Sequence, residues 1–126
     1  MVQTRSQEEL KNITAEVESV VHLSGIRTGV CVVYVPHTTA GITINENADP
    51  SVKNDMLMAL KTMVPDSLPY THAEGNSPAH VKASLMGSSV QILIERGRLV
   101  LGTWQGVYFC EFDGPRTRRV HVACRT

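Results

Sequence analysis

Helical and strand periodicities alternate through the first two-thirds of the chain, and only strand periodicity follows. That order predicts an α+β fold: a mostly antiparallel β-sheet or sandwich carrying about three helices. Three observations carry the expectation. A Val-rich run spans Gly29–Val35, two Xaa-Pro helix starts stand at Asp49-Pro50 and Ser77-Pro78, and four strand-like runs follow residue 88. With 126 residues and no linker, repeat or low-complexity tract, the chain is expected to be a single domain over residues 1–126.

The elements follow in order. Ile13, Val17, Val20, Val21 and Ser24 keep helical spacing, Glu16 and Glu18 lie near its start and Gly25 stops it, which predicts a helix over 14–24. Gly29–Val35 is a strand ending at Pro36, and Ile42–Ile44 begins another. Between them runs His37-Thr38-Thr39-Ala40-Gly41. Asp49 caps a helix with Pro50 at its first position, where the missing N–H does no harm. Val52, Met56, Leu60 and Met63 form its apolar stripe, with Lys53, Asp55 and Lys61 off it. Residues 65–76 are turn-rich. Ser77-Pro78 opens a short helix with Val81 and Leu85 inward, closed by Gly87. Strands are expected at Ser89–Ile94, Arg98–Leu101, Val107–Phe112 and Thr117–Cys124. Arg96-Gly97 and Asp113-Gly114-Pro115 have hairpin composition.

Composition narrows the function classes. Hydrophobic residues are 42% and charged residues 19%, a globular balance. Twelve basic residues against twelve acidic ones give no net charge, which argues against a general nucleic-acid binder and does not oppose self-association. The longest apolar run, Val30–Val35, is too short to cross a bilayer, and the N-terminus has no signal-peptide core, so a cytoplasmic protein without a membrane partner is expected. Cys31, Cys110 and Cys124 form no CxxC pair and are expected to be free thiols.

Histidine placement carries the most chemistry. His37 ends a strand, His72 lies in the polar loop Tyr70–Asn76, and His80 sits in the first turn of a helix. Three imidazoles with an open fourth position make a catalytic zinc arrangement, and Asn45, Glu46, Asn47 and Asp49 could add oxygen ligands. The spacing matches neither HExxH nor C2H2, so the same histidines also read as ordinary surface residues. His22 suits a helix C-terminus and His121 the polar face of a strand. Arg116 and Arg118 face one way on an extended strand, and Arg119, His121 and Arg125 the other. Arg116, at a strand entrance after a rigid turn, reads equally as a phosphate fork or a structural residue. Surface salt bridges to Glu111, Asp113 or a neighbouring subunit are the expected role of Arg118, Arg119 and Arg125. Ser77 and the free N–H groups that open its helix could hold an anion. Trp104-Gln105, flanked by Gly102 and Gly106, suits either stacking on a heteroaromatic ring or a packed hairpin, and the packed indole is the favoured reading. No GxGxxG, Walker or GxSxG motif occurs.

The ordered set His37-Thr38-Thr39-Ala40-Gly41, Asn45-Glu46, Asp49-Pro50, His72, Gly75-Asn76-Ser77, Ala79-His80, Gly102–Gly106 and Glu111–Arg116 resembles the YjbQ-like family, also named secondary thiamine-phosphate synthase. The resemblance runs over nearly the whole chain; one departure is Leu93, where members often carry proline. It implies a compact α+β homotrimer with a polar pocket at each subunit boundary. It further implies catalytic roles for His37, Thr39, Asp49, His80, Trp104 and Glu111. Substrate contacts are implied for Asn45, Glu46, Asn76, Ser77, Gln105 and Arg116. His37, His72 and His80 would hold a divalent metal, zinc by imidazole preference, with magnesium the alternative. Two function classes stay open. One is a transferase joining a pyrimidine diphosphate to a thiazole phosphate; the other is a non-catalytic homotrimer that binds a metal and a small phosphorylated molecule or anion.

Overall fold

The computed structural model describes residues 1–126 and contains three helices among nine strands. The strands are β1 (Val2–Gln3), β2 (Glu9–Asn12), β3 (Thr28–Tyr34), β4 (Ala40–Glu46), β5 (Ser89–Glu95), β6 (Arg98–Leu99), β7 (Gln105–Glu111), β8 (Thr117–Arg118) and β9 (His121–Arg125). The helices are α1 (Thr14–Ser24), α2 (Pro50–Met63) and α3 (Ser77–Met86). Every strand pairing is antiparallel. β6-β5-β3-β9 form one sheet, β2-β7-β4 a second, and β1-β8 a two-stranded ribbon.

The two larger sheets face each other across the main core. Val33, Ile92 and Ile94 on one side meet Ile42, Val107 and Phe109 on the other, and Val17 and Val21 of α1 close the cluster. The outer face of β7 carries Tyr108 and Cys110, and with Phe112 these pack under Leu60 of α2 and Ala79 and Ala83 of α3. The order of layers is therefore sheet, sheet, helices. Both faces of β7 are covered within one chain, the inner by the facing sheet and the outer by α2 and α3.

Local chemistry explains the elements that match expectation. α1 spans the expected residues and α2 begins where the sequence predicts; the Asp49 side chain caps α2 by accepting the Ser51 N–H at 2.9 Å. Arg96-Gly97 turns β5 into β6 with positive φ at both residues (54° and 75°), as a two-residue hairpin requires.

Other elements differ. β1 and β2 carry no local sequence signal; they are short and find their partners, β8 and β7, about a hundred residues away. Asp113-Gly114-Pro115, with a cis Gly114–Pro115 peptide, is no hairpin: β7 and β8 belong to different sheets. The expected strand 117–124 is interrupted at Arg119-Val120 and supplies both β8 and β9. Asn76, not Ser77, precedes α3, and it makes no side-chain cap. Val81 and Leu85 point outward, at 42% and 53% exposure, while Ala79, Lys82 and Ala83 are buried. The cause is close packing of α3 on β4. A Cβ on Gly41 would lie 2.7 Å from the Gly87 carbonyl oxygen and 3.3 Å from that of Ala83, so only a small-residue helix face fits there. Met63 likewise leaves the α2 stripe for the surface, whereas Leu60 is buried.

Candidate functional site

The close approach of α3 to β4 builds the site, because it draws the loop 36–39 that precedes β4 alongside the first turn of α3. An open cleft of about 400 Å3 results. It is lined by His37, Thr38, Thr39, His72, His80 and Arg116, with Pro36, Glu74, Asn76, Asp113 and Arg118 completing the wall. No hydrophobic side chain other than Pro36 faces it. The His72 and His80 rings meet edge to face with centres 5.4 Å apart. Nε2 of His37 accepts the Arg119 N–H at 2.9 Å, which fixes the neutral ring as the Nδ1–H tautomer. Burial lowers the pKa of His37 and the charges of Arg118 and Arg116 lower it further, against a partial offset from Glu111.

Arg116 is 49% exposed on its side chain. Its Nε donates to the Asp113 carbonyl at 2.9 Å and its Nη2 to Asp113 Oδ2 at 3.1 Å. Two of the five guanidinium donors are thus held by the protein and three are left over. Asn76 Nδ2 donates to the same Asp113 oxygen at 3.0 Å, and Asn76 Oδ1 is buried without a partner. Ser77 opens α3 directly after it.

Under the cleft lies a buried polar floor. Glu111 is fully buried; its carboxylate accepts from Arg118 Nε and Nη2, from the Thr4 hydroxyl (2.7 Å) and from the Asp113 N–H (3.1 Å). Arg118 Nη2 also donates to Thr39 Oγ1 at 2.9 Å and to the Thr39 carbonyl at 3.3 Å. Thr4 ties this floor to Arg116, accepting the Arg116 N–H at 2.9 Å and donating its own N–H to the Arg116 carbonyl at 3.0 Å. Burial raises the Glu111 pKa, but the hydrogen bonds from Arg118, Thr4 and Asp113, with the Arg118 charge, outweigh it and hold the carboxyl below its usual value.

The expected site residues therefore divide. His37, Thr39, His72, Asn76, His80 and Arg116 come together. Glu111 lies beneath them, buried, with its carboxylate oxygens bound by Arg118, Thr4 and the Asp113 N–H. Asn45, Glu46, Asp49, Trp104 and Gln105 do not join them. Glu46 pairs with Gln105 at one end of the β4–β7 ladder and Ala40 with Glu111 at the other. Six steps of ~3.3 Å separate the two ends by roughly 20 Å. Trp104 is 63% exposed in the turn before β7 and is not a core indole; its carbonyl accepts the Asn47 N–H at 2.8 Å. Asp49 is occupied as the α2 cap and Asn45 Oδ1 accepts the Glu46 N–H at 2.7 Å. Arg118 is not a surface residue: it is 3% exposed and bound to Glu111.

Sequence reasoning missed Thr4 and Glu74. Asp113, expected as a salt-bridge partner of the arginines, does bind Arg116; Thr4 had no signal, since its partners are over a hundred residues away.

The metal expectation meets this geometry unevenly. Two imidazoles on one tetrahedral zinc have ring centres roughly 5 Å apart, which the His72–His80 pair fits. His37 does not fit as a third ligand while its Nε2 accepts from Arg119. No three His, Cys, Asp or Glu side chains stand in ligating geometry.

Fold and cleft together define a small α+β sandwich protein with a histidine- and arginine-lined polar pocket. The profile of the "UPF0047 protein YjbQ-like" family matches residues 1–126, and the chain belongs to that family. It is 53% identical over 121 residues to UPF0047 protein MJ1081 of Methanocaldococcus jannaschii, covering 96% of this chain and 88% of that protein. It is 52% identical over 122 residues to UPF0047 protein YugU of Bacillus subtilis, covering 96% and 92%. A crystal structure of a YjbQ/UPF0047 protein from Clostridium acetobutylicum superposes with a TM-score of 0.97 at 56% identity, over 98% of this chain and 96% of that one. The conserved hypothetical protein TT1486 of Thermus thermophilus gives 0.91 at 46% identity, over 98% and 96%. No helix is long and apolar enough to cross a membrane.

Proposed function

We propose that the cleft between loop 36–39, α3 and Arg116 binds the phosphate of a small phosphorylated molecule. The observation that carries this reading is Arg116. Asp113 holds one edge of its guanidinium, so the fork is pre-aimed and its remaining donors need no further ordering when an anion arrives. The side chains of His37, Thr38, His72 and His80 line the same cleft and add hydrogen-bonding groups.

The specific reaction we attach to this site is thiamine-phosphate synthesis. The C–O bond between a hydroxymethylpyrimidine and its diphosphate breaks, the diphosphate leaves with the electron pair, and the thiazole nitrogen forms the new C–N bond. Such a step asks for charge stabilisation at the leaving group more than for a base, and Arg116 is the residue suited to it. Trp104 and Gln105 would act on the ring, and within one chain they lie roughly 20 Å from the cleft. A homotrimer in which a neighbouring copy brings its Trp104 end to this cleft supplies what one chain lacks.

Incubation with the pyrimidine diphosphate and thiazole phosphate, read as pyrophosphate release beside calorimetric titration with pyrophosphate, tests both levels. Binding with turnover that Arg116→Lys and His80→Ala reduce supports the transferase. Binding without turnover leaves a binding module, and no binding ends the anion reading. Light scattering at low micromolar concentration checks the trimer, and a stable, active species of one chain's mass removes the shared site.

A divalent ion on His72 and His80 is a second reading, favoured by their ring separation alone. Zinc titration of the purified protein should then saturate near one ion per chain, and His72→Ala should abolish it.

A further inference from the structure

The anion cleft shares a wall with a second cavity. His37, Thr38 and His80 border both. The second cavity, about 440 Å3, is completed by Ala40, Ala83, Ser84, Gly87 and Ser88. The two differ in chemistry. Arg116, Arg118, Asp113 and Glu74 line the first, whereas no Arg, Lys, Asp or Glu lines the second. A charged ligand group entering it would give up water without gaining an opposite charge, which is unfavourable. Its room follows from the α3–β4 contact, where Gly41, Ala83 and Gly87 pack backbone against backbone. The hydroxyls of Ser84 and Ser88 add hydrogen-bonding capacity at the edge.

We propose that this second cavity is the subsite for an uncharged ring attached to the phosphate held in the first. His37 and His80 then stand at the junction between the charged and uncharged parts of one ligand, and Ser84 and Ser88 limit the size of ring accepted. The inference rests on the anion reading above.

Calorimetry on the full chain with inorganic phosphate and phenyl phosphate separates the two. Burying a ring should make phenyl phosphate bind roughly tenfold or more tightly than inorganic phosphate. Ser84→Trp fills the second cavity from an exposed position on α3, so folding should survive, as a thermal melt checks. It should erase the preference for phenyl phosphate and leave inorganic phosphate unchanged. Ser88→Trp, from the segment between α3 and β5, should do the same. Equal wild-type affinities for the two probes overturn the subsite, as does loss of both probes together in either variant. A change of mass by light scattering in the variants overturns it too, because the cavity would then be a contact between copies. Failure of inorganic phosphate to bind the wild type sinks the anion reading itself, and the subsite with it.

Discussion

The cleft and its floor use the same residue types to opposite ends. In the floor, Arg118 and Glu111 are buried, and Thr4, Thr39 and a backbone N–H complete their hydrogen bonding. In the cleft, Arg116 and Asp113 form a similar pair, but it is half open to solvent and keeps spare donors. Burial separates the roles. A saturated pair out of water is rigid and has nothing left to offer a ligand, while an open pair adds little stability and stays available. The floor holds β8, which the cleft's arginine immediately precedes.

The largest expected effect comes from breaking the floor. Arg118→Met leaves the Glu111 carboxylate buried without its cation and should cost about 3–5 kcal/mol by denaturant unfolding. A loss below about 1 kcal/mol would place the pair with ordinary surface bridges and erase the contrast.

Thr4 gives the next effect. Thr4→Val removes an acceptor from the Arg116 N–H and a donor from Glu111 inside the protein, at about 1–3 kcal/mol. Thr4→Ser should recover most of it. Because Arg116 is displaced as well, phosphate affinity should fall in Thr4→Val and return in Thr4→Ser; recovery of stability without affinity would separate Thr4 from the cleft.

Acid sharpens the same comparison. The Glu111 carboxyl titrates below its ordinary value of 4.5 in the folded protein. Its contribution is therefore complete above that pH and is lost as the pH falls from about 4.5 through the depressed native value. Glu111→Gln should flatten this part of the stability profile, and an unchanged slope would assign the acid loss to other carboxylates.

The smallest stability effect belongs to the cleft. Arg116→Lys should change stability by less than about 1 kcal/mol while weakening phosphate binding about tenfold, since the ammonium cannot reproduce the fork. Unchanged phosphate affinity would return Arg116 to a structural role, and a large stability loss would make it part of the floor.

What was legible in advance follows the range of the forces involved. Local signals were read correctly where the interaction itself is local: the Asp49 cap of α2, the Gly25 stop of α1, the Arg96-Gly97 hairpin. Arg116 and Arg118 both line the cleft, but only Arg118 lies in a strand, so alternation did not place Arg116. The inward face of α3 was misread because hydrophobicity favoured Val81 and Leu85, whereas close packing on Gly41 admits only Ala79 and Ala83. β1 and β2 were invisible because their partners lie at the far end of the chain.

The sequence by itself determined the α+β class, the span of α1 and the start of α2, the family and the identity of the polar residues. Periodicity, caps and motif order are properties of neighbouring residues and need no third dimension. Only the tertiary structure decided which of those residues meet. It put Arg118 underneath and Arg116 at the surface, two positions apart in the chain. It also set Trp104 and Glu111 at opposite ends of the same β7 ladder. Alternation tells which side of a strand a residue takes, but burial depends on what another part of the chain lays over that side, and no local pattern encodes that.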